Sequence, residues 1–381
     1  MKKIVSLLLV VVMIAALFVG CKSEESAQPA ANEGAAMRVA MVTDYGDITD
    51  ESFNQATYEG AKAWCDENNV DFTYYKPTGD STAERVAAID QAIAEGYDVL
   101  LMPGYAFAGA IVETIEANPD VKYVALDVSE YDLQDAKGTA EDFSWKYPSN
   151  LYSAVYQEEL AGYMAGVAAV KLGYTKIGYL GGMAVPAVVR YGYGFVQGVN
   201  DAAKELGKVG DIELKYVYGN QFFGDADILA YMDTWYSAGT EVVFACGGGI
   251  YTSAADAAKK VGGKVIGVDV DQAPTIDAKW TKGMTVTSAM KGLAATVKTL
   301  LGKIKDGKFE GGKVETLGLV SETPSENYVQ LPASTQWADG FQEADYNALV
   351  AALYKGEIKV SNDTENPPAV DIAVDYQGNI K

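Results

Sequence analysis

The residues best suited to chemistry lie at a few corners of the chain. Between Val42 and Gly60 it reads VTDYGDITDESFNQATYEG, which crowds Asp44, Asp47, Asp50 and Glu51 around Phe53 and Asn54. Asp127 and Asp269 each end an apolar run, and Lys291 follows another. Phe222 and Phe223 stand in the polar loop YGNQFFGD, and Gly247, Gly248 and Gly249 close the run VVFACGGG. Carboxylates accept hydrogen bonds from hydroxyls, and a hydrogen bond to a charged group contributes roughly 1.5–3 kcal/mol. Aromatic rings stack on planar bases for about 1–3 kcal/mol per base. Acids, aromatics and one lysine therefore suit a neutral ligand that carries hydroxyls and a ring. They do not suit a phosphate, which needs more positive charge than these corners supply. Several of the same residues also have plainer roles. Asp50 and Ser52 read as helix caps, with Gln55 three residues after Ser52 completing a capping box. The glycine run also reads as a simple turn.

Composition narrows the chemistry. The chain has 381 residues, a formal net charge of −22 and no histidine. The missing histidine removes Ser-His-Asp and Cys-His catalysis and every histidine-ligated metal site. The acidity argues against nucleic acid as a partner. The three cysteines, Cys21, Cys65 and Cys246, have no paired metal-type spacing, and the last two fall in apolar patterns that suggest buried free thiols. Gly247–Gly249 lacks the third glycine of a dinucleotide fingerprint, and no glycine–lysine phosphate loop is present. No cofactor and no metal are expected. A hydrolase holding a metal through Asp44 and Asp47 is the competing enzymatic reading, with only clustered aspartates in its favour.

The elements that must position these residues alternate regularly. MRVAMVTD, VDFTYYKP, DVLLMPG and VKYVALDV read as strands, with helices between them over Phe53–Asn68, Ser81–Glu95 and Gly109–Ala117. Strand, helix, strand at this spacing gives parallel βαβ units, and continuous apolar strands are expected where helices cover both faces. The polar stretch after Asp127 breaks the rhythm and reads as a crossing between domains. A second series follows, with strands TKIGYLGGM, IELKYVYG, EVVFACGGG and KVIGVDVDQ. The strands GMTVTSAMKG and KVETLGLVSE and a last helix suggest that the chain returns to the first domain and leaves it again. The expectation is two doubly wound α/β lobes joined by a multi-strand hinge: residues 37–145 with about 274–317, and residues 146–273 with about 322–381. Ligands of such sheets bind outside the carboxyl ends of the strands. That is where Asp44, Asp127, Asp269, Lys291 and the glycine loop fall.

The N-terminus, MKKIVSLLLVVVMIAALFVGC, has two lysines, an apolar run and a small residue before Cys21. This is the pattern of an export signal over residues 1–20. The cysteine context resembles a bacterial lipobox, which implies acylation of Cys21. Residues 21–36, small and polar, then serve as a flexible tether.

The stretches VTDYGDITDESFNQATYEG, YVALDV, GYLGGM…RYGYGFVQGV, VVFACGGG, VIGVDVDQ and VTSAMKG together resemble the basic membrane protein family of bacterial lipoproteins, and within it the purine-nucleoside receptors. The resemblance implies the type I periplasmic-binding fold and a substrate-binding component of an ABC importer. It implies a monomer held on the outer face of the cell membrane by its lipid and delivering a nucleoside to a permease. The base would lie between Phe53 and Phe223, with Phe222 as the rival to Phe223. Asp127 would bond the base edge, and Asp269 and Lys291 the ribose. Asp44 matches a polar contact, and Gly247 and Gly248 a backbone-contact loop. Other ringed ligands such as riboflavin, a sugar, and a sensory role are the alternatives within the same fold.

Overall fold

A computed structural model describes residues 37–44 and 46–380. The expected export signal, Cys21 and the tether lie outside the described residues.

The first sheet is built from β1 (Arg38–Val42), β2 (Asp71–Tyr75), β3 (Val99–Pro103), β4 (Lys122–Leu126), β5 (Leu151–Tyr156) and β11 (Lys313–Leu317), in the order β11-β5-β4-β3-β1-β2. All its pairings are parallel. The second sheet contains β6 (Lys176–Gly181), β7 (Glu213–Tyr218), β8 (Val242–Cys246), β9 (Lys264–Asp269), β10 (Thr285–Lys291), β12 (Val329–Gln330) and β13 (Ala373–Asn379), in the order β12-β10-β9-β8-β6-β7-β13. Only β12 runs antiparallel. Within each sheet the first five strands follow the doubly wound 2-1-3-4-5 order, whose crevice opens where the order reverses. The apolar runs explain the interior. Every residue of β3 and β8 is buried, as expected for strands covered on both faces.

The first-lobe helices are α1 (Phe53–Asn68), α2 (Thr82–Ala94), α3 (Ala108–Thr114) and α4 (Glu130–Lys137), with α10 (Leu293–Lys305) packed against α1. The second lobe carries α5 (Glu158–Lys171), α6 (Pro186–Glu205), α7 (Ala226–Ser237), α8 (Tyr251–Val261), α9 (Ala273–Lys279) and α11 (Glu343–Tyr354). Helix α1 buries Ala56, Thr57, Gly60, Ala61, Trp64 and Cys65, a single stripe at helical spacing. Helix α5 is buried almost all round and lies backbone to backbone on α6. A Cβ on Gly162 would strike the Tyr191 carbonyl, and one on Gly194 the Glu159 carbonyl, so the approach depends on the absent side chains. Cys65 and Cys246 are buried free thiols.

The lobe boundaries differ from those expected. Strand β5, placed by the sequence pattern in the second lobe, pairs with β4 in the first. Strand β10, placed in the first lobe, pairs with β9 in the second. The stretch read as a polar crossing also contains α4 and β5. The chain therefore crosses at Gln157, at Gly292 and again after Leu317. These crossings are bonded to each other: Gln157 N donates to Leu317 O at 2.9 Å, Tyr328 N to Gly318 O at 3.0 Å and Gly292 N to Tyr328 O at 2.7 Å. Three crossings laced together form the multi-strand hinge.

Candidate functional site

Strand ends from both sheets line one cavity of about 480 Å3, a size ordinary for small-molecule sites. Asp44, Phe53, Asp127, Phe222, Phe223, Gly247, Gly248, Asp269 and Lys291 all lie on its wall. Arg190, Tyr191, Asp50, Asn54 and Lys76 join them.

Lys291, at the end of β10, is the charge around which this wall is organised. Its side chain is only 3% exposed. Its ammonium pairs with Asp127, with Glu158 Oε1 at 3.5 Å and with Asp269 Oδ1 at 3.6 Å. It also lies 4.6 Å from the centroid of the Phe53 ring, a cation–π distance. Burial alone would pull the Lys291 ammonium down, but Asp127, Asp269 and Glu158 outweigh it and hold the group charged, above its ordinary value. Burial lifts the Asp127 carboxyl to about 7, against the pull of Lys291 and with the Glu158 charge adding to the rise. Asp127 and Asp269 both adopt left-handed backbone at their strand ends, with φ of 59° and 64°. Aspartate tolerates that region better than most residues, and such backbone is common at functional corners. Asp127 Oδ1 is buried with no hydrogen-bond partner among the described residues, an acceptor that a ligand donor would satisfy.

Two charged residues of this cluster escape a reading of the sequence. Glu158, the first residue of α5, is wholly buried and accepts from Arg190 Nε at 2.7 Å. An acidic pair opening a helix ordinarily reads as a solvated favourable end charge. The crossing at Gln157 instead drives Glu158 inward. Burial lifts the neighbouring Glu159 carboxyl to about 7, with the Glu158 charge adding.

The corner at the start of α1 divides differently from the sequence expectation. Asp50 is the working cap, accepting from the backbone N–H groups of Ser52, Asn54 and Gln55 at 2.9, 2.9 and 3.0 Å. Burial lifts its carboxyl to about 6. Ser52 makes no capping bond, so the expected box is absent. Its hydroxyl donates to Asp269 Oδ2 of the other lobe at 2.6 Å, and Gln55 Oε1 accepts from Glu51 N at 3.0 Å. A buried carboxylate is the stronger acceptor, so the serine turns toward the other lobe. Asn54 bridges Asp44 and Asp50 through Nδ2 at 3.2 and 3.1 Å. Burial also lifts the Asp44 carboxyl, opposed by the Gly46 N–H and Asn54. Asp47 sits outside this knot, paired with Lys76 at 2.9 Å. Glu51 reaches across the lobes: Thr275 Oγ1 donates to Glu51 Oε2 at 3.1 Å and Gln272 Nε2 to Glu51 O at 3.0 Å. With Ser52–Asp269 and Lys291–Asp127, these bonds draw the lobes closed on each other.

The two phenylalanines also separate. Phe222 packs on the glycine loop, where a Cβ at Gly247 would lie 2.8 Å from its ring, and its carbonyl accepts from Gly249 N at 2.8 Å. Phe223 is 56% exposed at the cavity wall.

Two doubly wound lobes, a three-crossing hinge and a polar, aromatic cleft between them are the architecture of a solute-binding protein. The chain belongs to the ABC transporter substrate-binding protein PnrA-like family, whose sequence model matches residues 37–360. The chain is 28% identical over 335 residues to the ABC transporter nucleoside-binding protein BmpA of Lactococcus lactis subsp. cremoris, covering 84% of this chain and 89% of that one. It is 26% identical over 320 residues to basic membrane protein B of Borreliella burgdorferi, covering 82% and 86%. An ABC transporter solute-binding protein from Aeropyrum pernix superposes with a TM-score of 0.65 at 20% identity, over 86% of this chain and 88% of that one, a likeness of fold. Solute binding and a permease partner follow from the family, and the hydrolase reading gives way to them. No group of acids or cysteines among the described residues is arranged to hold a metal.

Proposed function

We propose that the chain is an extracytoplasmic, lipid-anchored receptor that captures a nucleoside, preferentially a purine nucleoside, and delivers it to an ABC permease. The observation that carries this reading is the pairing within one cleft of two aromatic rings, Phe53 from the first lobe and Phe223 from the second, with the buried Asp127–Lys291–Asp269 cluster. Rings on opposite lobes suit a planar base that is sandwiched as the cleft closes. Asp127 Oδ1, unpartnered, suits an N–H on the base edge. Asp269 and Lys291 offer an acceptor and a donor to a ribose diol. Asp44 and the Gly247–Gly248 backbone complete the contacts. The nucleoside-binding name of the Lactococcus relative points the same way. Closure would present the joined lobes to the permease, so that only the loaded form is taken up.

Calorimetry of the chain from Met37 onward tests the ligand, using guanosine, inosine, adenosine, cytidine, riboflavin and ribose. Binding of purine nucleosides above the others is expected. Tight binding of riboflavin or ribose with none of any nucleoside would overturn the ligand and leave the fold untouched. The anchor is tested separately: Cys21→Ala should move the protein from the detergent phase to the aqueous phase of a cloud-point extraction.

A further inference from the structure

We infer that Arg190, held in place by Glu158, reads one hydroxyl of the ligand's sugar and so sets the preference for an intact ribose; the inference rests on the nucleoside reading above. Arg190 lies in the first turns of α6 and lines the cavity with its side chain 15% exposed. One of its nitrogens, Nε, is spent on Glu158 at 2.7 Å. Among the described residues neither terminal nitrogen has a hydrogen-bond partner, so a fork of N–H donors is left without an acceptor. A guanidinium cannot shed its charge, and a desolvated donor without an acceptor is costly. The terminal nitrogens open onto the cavity, where a ligand oxygen is placed to accept in place of water.

The position of the fork points to the sugar. Glu158 is shared: Oε2 takes Arg190, and Oε1 stands 3.5 Å from the Lys291 ammonium. The next residue, Tyr191, directs its hydroxyl to Asp269 Oδ1 at 3.5 Å. Through the shared Glu158, Arg190 joins the cluster of Lys291, Asp127 and Asp269, and of the ligand parts proposed above the sugar is the one that offers hydroxyl oxygens to a cationic donor. Glu158 is a positioning residue. It is wholly buried, cannot itself reach a ligand in the cleft, and fixes the guanidinium by its inner edge while the outer edge stays free. A lysine could replace the charge but not this two-sided geometry. A site built around a buried polar donor rejects a ligand that lacks the matching oxygen.

The test compares inosine with 2′-deoxyinosine, 3′-deoxyinosine and 5′-deoxyinosine by calorimetry on the unsubstituted chain and on Arg190→Met. The unsubstituted protein should bind inosine at least about tenfold more tightly than one of the three, the loss of one charge-assisted hydrogen bond at about 1.4 kcal/mol per tenfold. In Arg190→Met that preference should fall below about threefold. A purely structural role would weaken all four ligands together and leave their ratios intact, and that result overturns the inference. If Arg190→Met does not fold or binds none of the four, Arg190→Lys, which keeps a positive charge beside Glu158, carries the same comparison and is judged by the same ratios. Glu158→Gln should reproduce part of the lost preference with folding retained. Failure of the unsubstituted protein to bind any nucleoside overturns the nucleoside reading and this inference with it. Persistence of the preference in the Arg190 variants overturns this inference alone.

Discussion

Replacing Lys291 by methionine puts the buried charge cluster to the test. A lysine serving only as a ligand contact would leave the ligand-free protein equally stable, and from sequence that is the natural expectation. Its surroundings say otherwise. The ammonium is 3% exposed and has three carboxylates within 3.6 Å. Removing it leaves Asp127 and Asp269 without their cation, while Glu158 retains Arg190. Removing one partner of a buried ion pair costs about 3–5 kcal/mol. At roughly 2–4 °C per kcal/mol for large domains, Lys291→Met should lower Tm by on the order of 10 °C. The loss should depend on pH in a definite sense. Burial holds the Asp127 carboxyl above its ordinary value in the folded state, so the folded chain binds more protons than the unfolded one above that ordinary value and is favoured as pH falls toward it. Without Lys291 only the weaker pull of Arg190 opposes that rise, and protonation becomes the way to discharge the cluster. The deficit of Lys291→Met should therefore be large at pH 8 and markedly smaller at pH 5. Lys291→Met/Asp127→Asn, which discharges the cluster permanently, should recover a large part of the Tm lost at pH 8. Thermal melts followed by circular dichroism measure all three. A Tm unchanged at pH 8, or a deficit equal at the two pH values, is incompatible with a lysine that holds buried carboxylates in place.

Three further substitutions separate clasp, cap and stacking. Ser52→Ala removes the 2.6 Å hydrogen bond to Asp269 without touching a helix cap, so ligand affinity should fall roughly tenfold with stability nearly unchanged; equal loss of Tm and affinity would mean that the serine is structural. Asp50→Ala removes the acceptor of three backbone N–H groups and should cost about 1–2 kcal/mol in denaturant unfolding, with Asp50→Asn costing less. Phe223→Ala, at a site 56% exposed, should leave Tm within a degree or two and weaken nucleoside binding by about 1–3 kcal/mol in calorimetry; full affinity would pass the stacking role to Phe222.

The strands were legible wherever an apolar run stood between turn residues. β1, β3, β4, β6, β8 and β9 fall within the runs that the pattern marks. β5 was hidden because LYSAVY sits in a polar neighbourhood and carries a serine, Ser153, whose hydroxyl is satisfied only in the fold by the Val128 carbonyl at 2.6 Å. The same misreading moved the first crossing and with it the lobe boundary. Asp44, Asp127, Asp269 and Lys291 were legible because strand ends are where such sheets gather polar residues. Glu158 and Arg190 were not, because their value lies in burial and in each other, 32 residues apart in sequence. Ser52 illustrates a second limit. Local spacing favoured a cap, and a carboxylate 217 residues away won its hydroxyl.

The place of β11 and β13 at sheet edges bears on how the chain comes to be folded at all. The first sheet waits for Lys313–Leu317 to pair with β5, and the second for Ala373–Asn379 to pair with β7. A chain made from its N-terminus can bury the middle of the first sheet early. It cannot close the β5 edge until residue 317 has been delivered, nor the β7 edge until residue 379 has. During that interval two parallel edges stand open, and such edges invite pairing with the wrong strand. Long-range parallel pairings of this kind fold slowly. The late strands thus act as fasteners sewn on long after the strands whose edges they close, and truncation after residue 360 would release a protein whose cleft is complete but whose second sheet is unfinished.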